Sequence, residues 1–274
     1  MIKQIQILSA FLIFFFVLPI IAGILPFPNN EKIEYPKAEQ QPVVYAASNE
    51  TETATATDVS QPLNPFDVLL YFTHSHETYK PFVQSASGTV AVYDEHTNLF
   101  TMQDMIENYF RLNGLTPKTL DVDVMSVMKR NGLAFYQAYD AVRPYVEKEL
   151  QQNEYDLILD IHRDSQKKDV STITHNNVSY AKIAFVIGAE NPNYKENVGY
   201  AKALSDSLNK IIPNISRGVI EKKGAGVDGV YNQDLAGELL VVEIGGIDNT
   251  EDEVYRTVSI LAQAISKTFV TEEL

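Results

Sequence analysis

Four residues in this 274-residue chain have the types and spacing of a hydrolytic centre: His74, Glu77, His162 and Glu243. His74 and Glu77 form an H-x-x-E pair. On a turn entering a helix, that spacing lets an imidazole and a carboxylate converge on one cation. His162 stands in Asp160-Ile161-His162-Arg163-Asp164 and would complete a set of two histidines and one glutamate. Catalytic zinc sites use three such protein ligands and leave a fourth position for water. Glu243 lies inside the apolar stretch Val241-Val242-Glu243-Ile244, where an unpaired carboxylate would cost several kcal/mol. It is placed to act as general base toward that water.

The rest of the inventory narrows the chemistry. There is no cysteine, which excludes disulfides, a thiol nucleophile and thiolate metal ligands. Any metal must be held by carboxylates and by the five histidines, His74, His76, His96, His162 and His175. His76 sits beside the proposed ligands and competes with His74 for the role, whereas His96 and His175 lie in polar, loop-like stretches. Ser75 and Ser165 each neighbour a charged or imidazole group, but no G-x-S-x-G elbow accompanies them. No phosphate-cradling P-loop is present, and the glycine-rich 224–229 segment reads as a loop. Asp160 is a supporting or structural carboxylate two residues before His162. Arg163 either pairs with Asp164 or faces substrate. A formal net charge of −14 disfavours nucleic acid and anionic lipid headgroups as main partners.

The elements that must position these residues follow from periodicity. Short apolar runs at 68–72, 157–161, 183–187 and 239–244 read as strands. Segments 101–113, 133–150, 194–212 and 252–268 carry helical spacing, with Gly114 as a stop and Pro144 as a candidate kink. Strands alternating with helices predict an α/β fold, a mostly parallel twisted sheet with helices on both faces. Ligands of such sheets bind at the carboxyl ends of the strands, where His74, His162 and Glu243 fall.

Two segments precede that domain. Residues 5–25 are apolar apart from Gln6, Ser9 and Pro19, and as a helix would span roughly 30 Å, one hydrocarbon core. A cleaved signal ending near Ala22-Gly23 is the alternative to an N-terminal transmembrane helix. Lys3 before the run and Glu31 and Glu34 after it place the bulk of the chain outside the cytoplasm. Residues 27–65 are rich in proline and contain the polar 48–57 tract, which reads as a flexible extracytoplasmic linker. The expected division is therefore an anchor at 1–26, a linker at 27–65 and a catalytic domain at 66–274.

At these residues the chain resembles the stage II sporulation protein P family of endospore-forming bacteria. The likeness is carried by the stretches 70–79, 160–165, 231–235 and 243–250, with a further similarity at 136–139. It implies a zinc-dependent N-acetylmuramoyl-L-alanine amidase fold, with an added endopeptidase activity, acting on peptidoglycan. It also implies action beside stage II sporulation proteins D and M during engulfment of the forespore. Carried over residue by residue, His74, Glu77 and His162 fall at the metal ligands and Glu243 at the catalytic acid/base. Arg163 and Asn232, in two of the matching stretches, are the substrate-binding candidates. Glu95 and Glu107 are the carboxylates that could replace Glu77. Two other classes remain open: another exported zinc hydrolase such as a carboxypeptidase, and a non-catalytic wall-binding module.

Overall fold

The apolar run at 68–72 becomes β1 (Phe66–Tyr71), the first strand of the computed structural model, which describes residues 65–270. With it in one sheet are β2 (Leu115–Thr119), β3 (Leu157–Asp164), β6 (Ile183–Gly188), β7 (Ser216–Lys222) and β8 (Leu239–Gly246). A separate antiparallel hairpin pairs β4 (Thr172–His175) with β5 (Val178–Ala181). The sheet order is β2-β1-β3-β8-β6-β7. All neighbours run parallel except β8 and β6. That reversal sends the carboxyl ends of β6 and β7 to the opposite edge, so β2, β1, β3 and β8 share the edge that carries His74, His162 and Glu243, and the last three deliver those residues to it.

Alternation along the strands builds two cores. Val68, Leu70, Leu159, Ile161, Leu240 and Val242 face the larger one. It is closed by α2 (Gln103–Leu112), α6 (Tyr194–Ile211) and α7 (Glu251–Ile265). Leu69, Tyr71, Ile158 and Leu239 face the smaller, closed by α3 (Val124–Asn131) and α4 (Ala138–Leu150). Each fully buried aliphatic or aromatic side chain contributes roughly 1.5–3 kcal/mol, so the sheet is clamped from both faces. The α/β expectation with helices on both faces holds. Short helices α1 (Lys80–Ser87) and α5 (Lys168–Ser171) follow β1 and β3.

Local chemistry explains the boundaries. Gly114, at φ +76°, ends the turn after α2 and donates its N–H to Arg111 O at 3.0 Å. Asp123 caps α3 through Ser126 N, and Thr250 with Glu253 forms a capping box on α7. The helix expected at 133–150 begins only at Ala138, after a 3₁₀ turn at Phe135–Gln137, and runs through Pro144. Tyr136, in that turn, is 82% exposed.

The apolar run and the linker, apart from its last residue Pro65, lie outside the described residues. Among the described residues no helix is long and apolar enough to cross a membrane.

Candidate functional site

The site is built at the shared edge of β1, β3 and β8. In the parallel register, His162 on β3 stands directly beside Glu243 on β8. Both continue the side of the strands that faces α3 and α4, by the period of two. Beyond Glu243 the chain must pass close to the 164–166 segment. Gly246 permits this, because a Cβ there would run into the Gln166 carbonyl. His74 and Glu77 are carried on a turn after β1, closed by Glu77 N donating to His74 O at 2.9 Å. The helix expected to follow the pair directly starts only at Lys80.

His162 is buried between two carboxylates. Its Nδ1 is 3.8 Å from Glu77 Oε2, and its Nε2 is 3.0 Å from Asp160 Oδ2, off the line a hydrogen bond needs. Asp160 is itself held by Thr73, whose N–H donates at 2.9 Å and whose hydroxyl donates at 2.6 Å. Burial opposes the imidazolium, but the Asp160 charge outweighs it and lifts the His162 pKa to about 9. His74 goes the other way. Burial, reinforced by His162 and Arg163, lowers its pKa to about 3. Its ring stacks on Phe135 at 4.4 Å, meets His162 edge-on at 5.2 Å, and lies 5.9 Å from Tyr139.

Glu77 is buried, and burial pushes its pKa up against the charges of His162 and Arg163. Its Oε2 accepts from Arg163 N at 3.0 Å, and Tyr93 donates to Oε1 at 3.4 Å. Glu243 as a residue is partly accessible, but its Oε2 is enclosed without a hydrogen-bond partner. Burial raises its pKa to about 8 despite the opposing charge of His162, with Glu77 adding to the rise. The site thus gathers one neutral imidazole, one that favours its proton, and two carboxyls that resist ionisation.

His74 Nδ1 and Glu243 Oε2 are sealed from water without hydrogen bonds, while His162 Nε2 faces the Asp160 carboxylate. Such atoms are costly unless a ligand or ion satisfies them. Yet His162 is drawn to Asp160 and Glu77 to Arg163. Among the described residues, no three His, Asp or Glu side chains form a ready-made metal cage. The 3.8 Å between Glu77 Oε2 and His162 Nδ1 exceeds the roughly 3.4 Å expected of two donors about 2.1 Å from one tetrahedral ion.

The other sequence candidates separate from this cluster. His76 turns to Asp123 Oδ2 at 3.0 Å, so it does not compete with His74. Glu95 is exposed and paired with Lys129; Glu107 binds Thr119 and Arg111 on α2. Neither joins the site. Asp164 pairs with Arg217, so of the two alternatives for Arg163 the side-chain pair with Asp164 does not form. Arg163 instead is buried, donates from Nη2 to Val92 O at 2.8 Å, and lies 5.6 Å from the Tyr93 ring centre. Asn232 is buried, donating to Tyr139 O at 2.9 Å and accepting from Arg143 at 3.1 Å. It ties its loop to α4.

Sequence reasoning missed the aromatic collar of Tyr93, Phe135, Tyr139 and Tyr231. Tyr139 stacks on His162 at 6.2 Å, and Tyr231 meets Tyr139 at 5.2 Å. Tyr231 and Asn232 have consecutive positive φ, +55° and +56°, rare for such residues. The strain is held by buried Gln233, which donates to Val186 O at 2.9 Å and accepts from Gly188 N at 2.8 Å.

Comparison with known proteins adds a family. A model described as stage II sporulation protein P matches residues 27–266. The stage II sporulation protein P of Bacillus subtilis (strain 168) is 34% identical over 203 residues, covering 74% of this chain and 51% of that protein. The chain therefore spans about half the length of that curated relative. Among solved structures, the CwlD amidase from Clostridioides difficile, in complex with the GerS lipoprotein, aligns at 8% identity and TM-score 0.48. That alignment covers 75% of this chain and 99% of CwlD. An N-acetylmuramoyl-L-alanine amidase from Clostridium difficile 630 aligns at 10% identity and TM-score 0.45, over 77% of this chain and 100% of that one. Both likenesses are loose.

Proposed function

The chain belongs to the stage II sporulation protein P family, and from that membership we propose that it is a zinc-dependent peptidoglycan hydrolase. The bond proposed is the amide between N-acetylmuramic acid and L-alanine. One observation carries the catalytic part of the reading. His74, Glu77, His162 and Glu243 come from three chain segments to one edge, where His74 Nδ1 and Glu243 Oε2 are buried and unsatisfied and His162 Nδ1 faces Glu77. The donor types, two imidazoles and a carboxylate, fit zinc.

His74, His162 and Glu77 would hold the ion, which supplies Lewis acidity toward the scissile carbonyl and the attacking water. Asp160 beside Nε2 favours a proton there and leaves Nδ1 turned toward Glu77, an arrangement that orients a ligating imidazole. Arg163 steadies Glu77 from its backbone N–H. Glu243 accepts the proton of the attacking water and returns it to the departing amine. Its pKa of about 8 in the cation-free site would fall under a nearby positive charge toward neutrality, where acid–base catalysis is most effective. Phe135 and Tyr139 cover one side of His74 and limit water there.

We further propose that the 5–25 run holds the enzyme at the membrane with residues 66–274 outside, and that stage II sporulation proteins D and M act beside it. The test of the reaction is mass spectrometry of peptidoglycan digested by the full chain, with zinc and with a chelator. Release of intact stem peptides from the glycan, abolished by the chelator, is expected. Trimming of peptide ends alone would indicate a carboxypeptidase, and no product under any zinc condition would overturn the enzyme reading.

A further inference from the structure

The two middle residues of the His74–Glu77 turn end on one carboxylate. Ser75 Oγ donates to Asp123 Oδ1 at 2.6 Å, and His76 Nε2 lies 3.0 Å from Asp123 Oδ2. Met125 N donates to Ser75 Oγ at 2.9 Å, closing the loop between turn and helix. Ser126 adds its N–H to Oδ1 at 3.2 Å and its hydroxyl to Oδ2 at 2.6 Å. Ser75 is fully buried.

This is more than a helix cap. Capping α3 needs only the bond from Ser126 N. The donors from Ser75 and His76 arrive from 48 and 47 residues away; Ser75 Oγ also accepts the first-turn N–H of Met125, but the His76 contact adds nothing to the cap of α3. Nor is the trio a nucleophilic triad. Serine and histidine both end on the aspartate, so no histidine stands ready to take the serine proton. Burial works against an ionised Asp123, but hydrogen bonds from Ser126, Ser75 and His76 win and bring its pKa to about 2. The carboxylate is therefore ionised at neutral pH and can hold all of these donors at once.

We propose that Asp123 is a positioning residue: it fastens the turn between His74 and Glu77 to α3 and thereby sets where these two side chains stand relative to His162. The proposal rests on the metal-site reading above and deepens it. It also gives His76 a role, as one of the two fastenings.

The experiment uses the full chain, wild type, Asp123→Ala and Asp123→Asn. Zinc affinity is measured by chelator competition, and amide hydrogen exchange is followed in the metal-free protein. Loss of a group that orients metal ligands typically weakens metal binding about 10–100-fold, and that loss is expected for Asp123→Ala. Exchange at Glu77 and Thr78 should rise at least about 10-fold, while amides of β3 and β8 stay protected. Asp123→Asn keeps one acceptor oxygen and should fall between the two; it carries the test if the alanine variant does not fold. A lowered unfolding midpoint with zinc affinity and turn exchange unchanged would reduce Asp123 to a helix cap and overturn the proposal. A wild-type chain that binds no zinc would sink the metal reading, and exchange at the turn would still decide whether Asp123 holds it.

Discussion

The two halves of the site are held by different means. His162 and Glu243 sit on central strands, side by side in register, with backbone hydrogen bonds and buried neighbours fixing them. His74 and Glu77 ride on a turn whose shape depends on side chains: Asp123 grips its middle and Arg163 its end. The sheet half should tolerate changes of side-chain chemistry without moving. The turn half should lose geometry when a single polar group is removed. Function placed on a rigid scaffold and function placed on a loop therefore fail in different ways.

The largest effect expected is on turnover from Glu243→Gln. Glutamine is nearly isosteric, so β8 should pack as before, and removing the buried carboxyl's ionisation cost should not destabilise the fold. Positioned acid–base groups contribute about 10²–10⁴-fold to rate. Stem-peptide release should drop by that factor with zinc content unchanged. Zinc loss in this variant would show that Glu243 is a ligand.

Glu77→Gln attacks the turn half and should behave in the opposite manner. A neutral amide replaces an anionic donor and loses the charge-assisted bond from Arg163 N. Zinc affinity should fall by about 10–100-fold, and activity should recover in part when zinc is raised. Competition against a graded chelator reads the affinity; unchanged affinity would move the third ligand elsewhere.

The sheet half has its own weak point, which is clearance. At Gly246 a methyl group would meet the backbone carbonyl of Gln166. Gly246→Ala should cost about 1–3 kcal/mol by overpacking, visible as a lower urea midpoint. Little change in that midpoint would show that the 164–166 segment can yield.

The gathering of His74, His162 and Glu243 at one sheet edge was legible in the sequence for a physical reason. Apolar runs that stop abruptly at His or Glu mark strand ends, and in parallel sheets those ends converge. What sequence could not give was partner choice. β2 contains Pro117 and β7 contains Gly218, and both are edge strands with polar, half-exposed faces, so neither forms an apolar run. The reversal between β8 and β6 depends on pairing across more than 50 residues. The neighbourhood of His162 and Glu243 follows from register, which no local pattern encodes. Asp123 caps α3 through its near neighbour Ser126, yet its attachment to Ser75 is purely tertiary. The aromatic collar failed for another reason. Tyr139 has the spacing of a core residue on α4, and only the fold shows its ring against His162.

The smallest expected effect tests what makes His74 a poor base. Burial comes first among the causes that hold its pKa near 3, ahead of His162 and Arg163. Phe135, itself 49% exposed, supplies part of that burial by stacking on the ring. Phe135→Ala should admit water and raise the His74 pKa by about one unit in the metal-free protein, because desolvation disfavours the charged form. Phe135→Leu, which restores apolar cover, should not. The sign carries through to stability. A histidine depressed in the fold binds its proton more readily when unfolded, so its contribution is present above about pH 6.5 and is lost as pH falls toward 3. The alanine variant should lose less of that contribution over the same window. His162, raised to about 9, acts in a different window, giving up its contribution as pH rises from about 6.5 through 9, so the two can be separated. Titration of the His74 ring by NMR reads the shift directly. A pKa unmoved by Phe135→Ala would mean that His162 and Arg163, not the aromatic cover, keep His74 neutral.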